Sequence, residues 1–287
     1  MRIFESAIVS AAKLAALSAG ARPPTLLDVR WHLGGPPGRQ DYDAGHLPGA
    51  VHLDVDTELA APPGAGGRHP LPDPRALRAT LRGAGVRSRH PVVVYDAEDG
   101  SVAARAWWLL RWAGHEDVAV LDGGYAAWVA DGHAVSVDQP TPEPGDIEVR
   151  PGGMPVLDAE QAARLARDGV LLDARAAARY RGDSEPVDPR AGHVPGAVNA
   201  PFSDHSGPDG RWRPATELAG RFGQLGVRDD APVGAYCGSG VTACSVVLAL
   251  ELAGVTSRQA PAALYAGSWS HWCTDAQRPV ATGPLAG

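Results

Sequence analysis

The sequence is nearly without lysine. Lys13 is the only one in 287 residues, and every other side-chain cation apart from histidine is an arginine. The arginines are scattered along a chain of net charge −7, so no basic stripe suited to a phosphate backbone is present and nucleic acid is not an expected partner. Cysteine is scarce too. Cys237, Cys244 and Cys273 are too few and too unevenly placed for a disulfide framework, and without CxxC spacing they give no zinc site; neither metal nor cofactor is expected. Long apolar runs are also missing. No segment reaches the roughly 18 uninterrupted apolar residues a membrane helix needs, so no membrane association is expected. Glu5 and Lys13 break up the N-terminal stretch that could pass for a signal peptide. In that stretch Ile8, Ala11, Ala12, Ala15 and Ala19 recur at helical spacing and predict a short packed helix. A reactive thiol in a chain without a disulfide framework favours a reducing, cytoplasmic setting.

What the chain does have is one unit written twice. Leu26-Leu27-Asp28-Val29-Arg30 returns as Leu171-Leu172-Asp173-Ala174-Arg175, and Gly45-His46-Leu47-Pro48-Gly49-Ala50-Val51 as Gly192-His193-Val194-Pro195-Gly196-Ala197-Val198. Pro91-Val92-Val93-Val94-Tyr95 matches Pro232-Val233-Gly234-Ala235-Tyr236, and Gly123 to Trp128 matches Gly267 to Trp272. Four matches in one order, each roughly 145 residues apart, mark a tandem duplication. Each copy alternates short apolar strands with helical segments, which predicts an α/β fold: two domains, each a mostly parallel sheet with helices on both faces. The boundaries follow as residues 1–138, a Pro/Gly-rich linker at 139–153, and residues 154–287. Trp107, Trp108 and Trp112 share one helical segment and read as core or domain interface. His46 and His193 precede Pro-Gly turns, where an imidazole can satisfy buried backbone groups, so they read as structural.

The second copy carries the chemistry. Val233-Gly234-Ala235-Tyr236 is a strand that breaks at Cys237 into the loop Gly238-Ser239-Gly240-Val241-Thr242, and from Ala243 the pattern is a buried helix. Loop N–H groups and a helix N-terminus converging on Cys237 would stabilise its thiolate. Cys244 and Cys273 read instead as packed core thiols. The first copy has Asp96 where the second has Cys237, and a carboxylate cannot act as a sulfur nucleophile. The second copy is therefore the working half.

These residues resemble the two-domain rhodanese-like sulfurtransferases, and the Cys237 loop is similar to that of the branch using 3-mercaptopyruvate. The resemblance covers nearly the whole chain, through both GHxPGA segments, the loop, and Gly267-Ser268-Trp269-Ser270-His271-Trp272. It implies that Cys237 accepts a sulfane sulfur as a persulfide and passes it to a thiol, such as a thioredoxin-like protein or a small thiol, or to cyanide. It further implies that Arg179 and Arg190 bind an anionic donor, and that Ser239, His69 and Asp56 form a proton relay. Gly238 and Ser239 carry no charge, whereas enzymes preferring the thiosulfate dianion have basic residues there; the loop thus favours mercaptopyruvate, with thiosulfate:cyanide transfer as the alternative. A cysteine phosphatase or arsenate reductase needs an arginine at the far end of such a loop to clamp the oxyanion, and Ala243 stands there. A non-catalytic sulfur carrier would form the persulfide without turning over.

Overall fold

Val92–Tyr95 and Val233–Tyr236 are buried along their whole length, as strands of a parallel sheet covered on both faces must be. The computed structural model, which describes residues 2–228 and 231–287, contains two such sheets, one in each of two compact units. The first unit holds β1 (Ile8–Val9), β2 (Thr25–Asp28), β3 (Val51–His52), β4 (Val92–Tyr95) and β5 (Val118–Leu121), all paired in parallel in the order β1-β5-β4-β2-β3. The second holds β6 (Val170–Asp173), β7 (Val198–Asn199), β8 (Val233–Tyr236) and β9 (Ala263–Leu264), parallel in the order β7-β6-β8-β9. Val156 bridges Leu264 in parallel, on the edge equivalent to β1. The repeat in the sequence is thus a repeat of topology.

The same polar fastening recurs in each unit. Asp28 accepts a forked hydrogen bond from Arg30, whose Nη2 also reaches the Gly45 carbonyl at 2.7 Å; Asp173, Arg175 and the Gly192 carbonyl repeat this, again at 2.7 Å. His46 bonds the Tyr42 carbonyl at 2.8 Å through Nδ1 and stacks on the Tyr42 ring, while His193 does the same with Tyr180. Both imidazoles are fully buried structural braces. Buried helices pack on the central strands. All ten residues of Ala103–Trp112 are buried, so Trp107, Trp108 and Trp112 belong to the first unit's core; eight of the ten in Ala243–Leu252 are buried in the second.

One expectation needs revision, and two others gain detail. The N-terminal stripe begins one element later: Ile8 is in a strand, and the helix Ala11–Ser18, capped by Ser10, buries Ala11 and Leu14 while Ala12 and Ala19 face solvent. The alanine spacing was misleading because Ala is at home on either face of a helix. The segment 139–153 forms no helix or strand, but it does not hang free either. Its Gly145 and Ile147 N–H groups bond the Arg82 and Val86 carbonyls, and Ile147 is buried in the first unit. Lastly, the units do not follow a single cut in the chain. Pro62–Leu71 belongs to the second unit and Ser206–Trp212 to the first, so each unit takes in one loop from the other half, from matching places after β3 and β7.

Candidate active site

β8 delivers Cys237 to the point where strand becomes loop, and the backbone there is tied on both sides. The Cys237 N–H donates to Ser268 Oγ at 3.1 Å, its carbonyl accepts from Trp269 N–H at 3.0 Å, and its Sγ accepts the Gly240 N–H at 3.1 Å. Gly240 has φ +84°, and a Cβ there would stand 2.3 Å from the Ala266 carbonyl oxygen, so only glycine can turn the loop at this point. Ser268 is the single non-glycine residue with positive φ among the described residues, at 53°. That strain, on the order of 1 kcal/mol, holds a hydroxyl that accepts from Cys237 and donates to the Tyr265 carbonyl at 2.9 Å. Cys237 is buried, with 2% of its surface exposed.

Beyond the sulfur the loop meets the segment that the second unit takes from the first half. His69 Nδ1 lies 2.7 Å from Ser239 Oγ, both buried, and the neighbouring Arg68 N–H donates to Ser270 Oγ at 3.0 Å. A Cβ placed on Gly238 would stand 2.8 Å from Arg68 Nη2 and 3.4 Å from Arg179 Nη1. Two guanidiniums therefore flank the residue next to the nucleophile. They are held by acids. Arg179 pairs with Glu185 at 2.6 Å and with Asp188 at 3.1 Å, Arg68 pairs with Asp188, and Arg175 reaches Glu185 at 3.4 Å. Burial works to raise the Glu185 carboxyl, yet the Arg179 hydrogen bond and backbone N–H groups outweigh it and hold Glu185 below the usual range. For Asp188 burial wins and the carboxyl is raised, with Arg68 and Arg179 opposing.

Several residues singled out in the sequence meet here: Cys237, Gly238, Ser239, Gly240, His69 and Arg179. Val241 is buried just before the helix, and Thr242 caps it, with its carbonyl accepting from Ser245 Oγ at 2.9 Å. Asp56 lies in the first unit, where Trp31 Nε1 donates to it at 3.0 Å. Arg190, the other arginine expected to bind the donor, is held by backbone carbonyls. Its guanidinium donates to the carbonyls of Asp275 and Arg278, and its own carbonyl accepts from Trp269 Nε1, so it ties its own loop to the helix Ser268–Trp272 and the chain that follows it. The neutral loop is also not a neutral site, because the charge arrives from other segments. Arg68 went unremarked in the sequence although it precedes His69; a cation beside a suspected relay histidine was the available signal. Ser268 and Asp188 gave none, since their contacts with Cys237 and Arg68 join distant segments.

The equivalent loop of the first unit is closed on itself. Asp96 Oδ1 accepts the Glu98 and Gly100 N–H groups at 3.2 and 2.9 Å, and Oδ2 accepts those of Val102 and Ala103 at 2.9 and 3.0 Å. Burial pushes its carboxyl up to about 6, with Asp99 adding to the rise and the N–H donors opposing it.

The profile of the rhodanese-like domain matches residues 10–131 and again residues 158–275. The chain is 48% identical over 266 residues to a probable 3-mercaptopyruvate sulfurtransferase of Pseudomonas aeruginosa, covering 90% of this chain and 92% of that one. It is 42% identical over 282 residues to a putative thiosulfate sulfurtransferase of Mycobacterium tuberculosis, covering 96% and 97%. Among solved structures, the Escherichia coli 3-mercaptopyruvate enzyme superposes with a TM-score of 0.80 at 30% identity, covering 92% of this chain and 99% of that one.

Proposed function

The chain belongs to the rhodanese-like family, and from that premise we propose that it is a sulfurtransferase taking sulfur from 3-mercaptopyruvate through a persulfide on Cys237. The Cys237 thiolate attacks the donor sulfur, the donor's C–S bond breaks, and its electron pair passes to the carbon. With the thiol proton transferred to that carbon, pyruvate leaves and the enzyme holds Cys–S–S⁻. A thiol acceptor RSH then takes the outer sulfur as RSSH and restores the thiolate; cyanide would take it as thiocyanate. In this reading Ser239 Oγ moves the thiol proton, and His69 Nδ1, 2.7 Å from it, supports the assignment. Asp56 is the third residue of the relay in this reading.

The observation that carries the proposal is a buried cysteine on a glycine-turned loop with guanidiniums at the next residue. An arginine fork binds a carboxylate with two hydrogen bonds, and 3-mercaptopyruvate presents a carboxylate a short way from its sulfur. A compartment that keeps thiols reduced, such as the cytoplasm, suits this chemistry; no helix among the described residues is long and apolar enough to cross a membrane. The second reading, thiosulfate as donor, has the similarity to the mycobacterial protein in its favour. The two are separated by kcat/KM for each donor with one common acceptor. A higher value for 3-mercaptopyruvate is expected, and a higher value for thiosulfate would reverse the assignment.

A further inference from the structure

We propose that the cavity between the short 3-10 helix Phe202–His205 and the helix Ala215–Gln224 is a binding site, separate from the sulfur site, for a small neutral molecule: one aromatic ring carrying one hydrogen-bond donor. The inference stands on the second unit alone and does not rest on the sulfurtransferase reading.

Size sets the first limit. The cavity has a volume of about 140 Å³, and none of its lining residues belongs to the Cys237 loop or to the arginine–acid cluster beside it. An apolar cavity of about 150 Å³ inside a protein takes up benzene, so a single six-membered ring with one small substituent suits this volume. The helix side of the cavity is apolar. Leu218 and Phe222 are 0% and 2% exposed, and Leu225 follows them at the helix end. A flat ring laid against Phe222 and the leucine methyls leaves water and gains dispersion and ring contacts.

The polar atoms set the second limit. Asn199, at the end of β7, lines the cavity with its amide fixed, because Nδ2 donates to the carbonyls of Asp173 and Arg175 at 3.0 and 2.9 Å. Two carbonyl partners require the NH₂ on that side, so what Asn199 has left to offer an occupant is the acceptor Oδ1. The charged groups of the wall are matched to each other. Arg221 Nη2 holds Asp204 Oδ2 at 2.5 Å, and burial pushes the His205 imidazole down to about 3, with Arg221 adding to the fall, so His205 is neutral at ordinary pH. An anion would find the guanidinium already paired, and a cation would find the carboxylate paired. Either would give up its hydration without a free counter-charge. A neutral ring escapes that cost, and one that also carries an O–H or N–H satisfies Asn199 Oδ1, which a plain hydrocarbon would cover and leave without a partner.

The test titrates the intact wild-type chain with phenol, toluene and benzoate, following backbone amide and leucine methyl signals by NMR, with intermolecular NOEs to place the ring. Phenol should give saturable shifts and NOEs to the methyls of Leu218 and Leu225. Toluene, which fits but donates nothing, should bind at least about fivefold more weakly, and benzoate should give no NOE to either leucine. Leu225→Trp, which fills the cavity from the helix end, should abolish the phenol NOEs to Leu218 while its circular dichroism matches wild type. Phenol contacts that fall only on other residues, shifts that never saturate, or toluene or benzoate seated against Leu218 as tightly as phenol would each overturn the proposal. Unchanged phenol binding by a folded Leu225→Trp would overturn it too, and the wild-type titrations decide the matter even where that substitution prevents folding.

Discussion

The two strand–loop–helix turns of this molecule share a scaffold and differ in what fills the loop. In the first unit a carboxylate at position 96 accepts four backbone N–H groups, so the cradle is occupied by the chain itself. In the second a sulfur at position 237 accepts the Gly240 N–H, and two guanidiniums flank the next residue, Gly238. The exchanged loops differ as well. The segment joining the second unit carries Arg68 and His69, whereas that joining the first carries Trp212, whose Nε1 would stand 3.0 Å from a Cβ on Gly100, and its N–H is fixed by Asp122 at 2.8 Å. The two units share a frame and differ in the residue at the turn and in the loop each borrows.

The strongest way to break the comparison is Cys237→Ser, which keeps the scaffold and removes the sulfur. Transfer should fall on the order of 10⁴-fold or more with an unchanged circular dichroism spectrum, because a hydroxyl cannot form a persulfide. Substantial remaining turnover would place the nucleophile elsewhere. Next come Arg179 and Arg190. Arg179→Ala removes a charged fork from a partly desolvated site and should cost about 2–4 kcal/mol, or roughly 30- to 1000-fold in kcat/KM with 3-mercaptopyruvate. Arg190→Ala should cost about fivefold or less in kcat/KM and show itself mainly as a lower thermal midpoint, since its partners are carbonyls of the C-terminal segment. Equal kinetic losses would return Arg190 to the donor site.

The smallest effect concerns the closed loop. Asp96→Ala leaves four N–H groups without their acceptor and should destabilise the protein by about 2–4 kcal/mol in urea titrations, with kcat/KM changed less than about threefold. Its pH dependence has a definite sign. The folded carboxyl titrates at about 6, above the 3.8 of an exposed aspartate, so the folded state binds this proton more tightly than the unfolded chain. Wild type therefore gains stability from this group as pH falls from 7 through 6 toward 4, by up to about 1 kcal/mol per pH unit. The deficit of Asp96→Ala should be larger at pH 5 than at pH 8; a deficit that grows toward alkaline pH would contradict the burial of an ionisable group at this turn.

Much of this architecture was written in the order of residues. Strand runs such as Val92–Tyr95, the repeated Asp-x-Arg and Gly-His-x-Pro-Gly segments, and the glycines behind Cys237 are local signals, each with a local physical cause. The exchange of Pro62–Leu71 and Ser206–Trp212 was not legible, because a loop's composition says that it is a loop and not which core it packs on. Arg68 and Arg190 teach the same point from opposite sides. One lies far from Cys237 in sequence yet comes to its loop, while the other sits in the expected segment and is spent on carbonyls. Charge counted along the loop alone gave neutrality, whereas charge counted in space gives arginines held by acids.

The central claim is that Cys237 alone carries the transferred sulfur. Its most direct test is to treat the wild-type chain with 3-mercaptopyruvate in the absence of acceptor, quantify pyruvate, and map the added sulfur by peptide mass spectrometry after alkylation. One sulfur per chain on the Cys237 peptide, with one pyruvate released for each, is the expected result. Sulfur on Cys244 or Cys273, or pyruvate released with no sulfur retained on Cys237, would contradict the account.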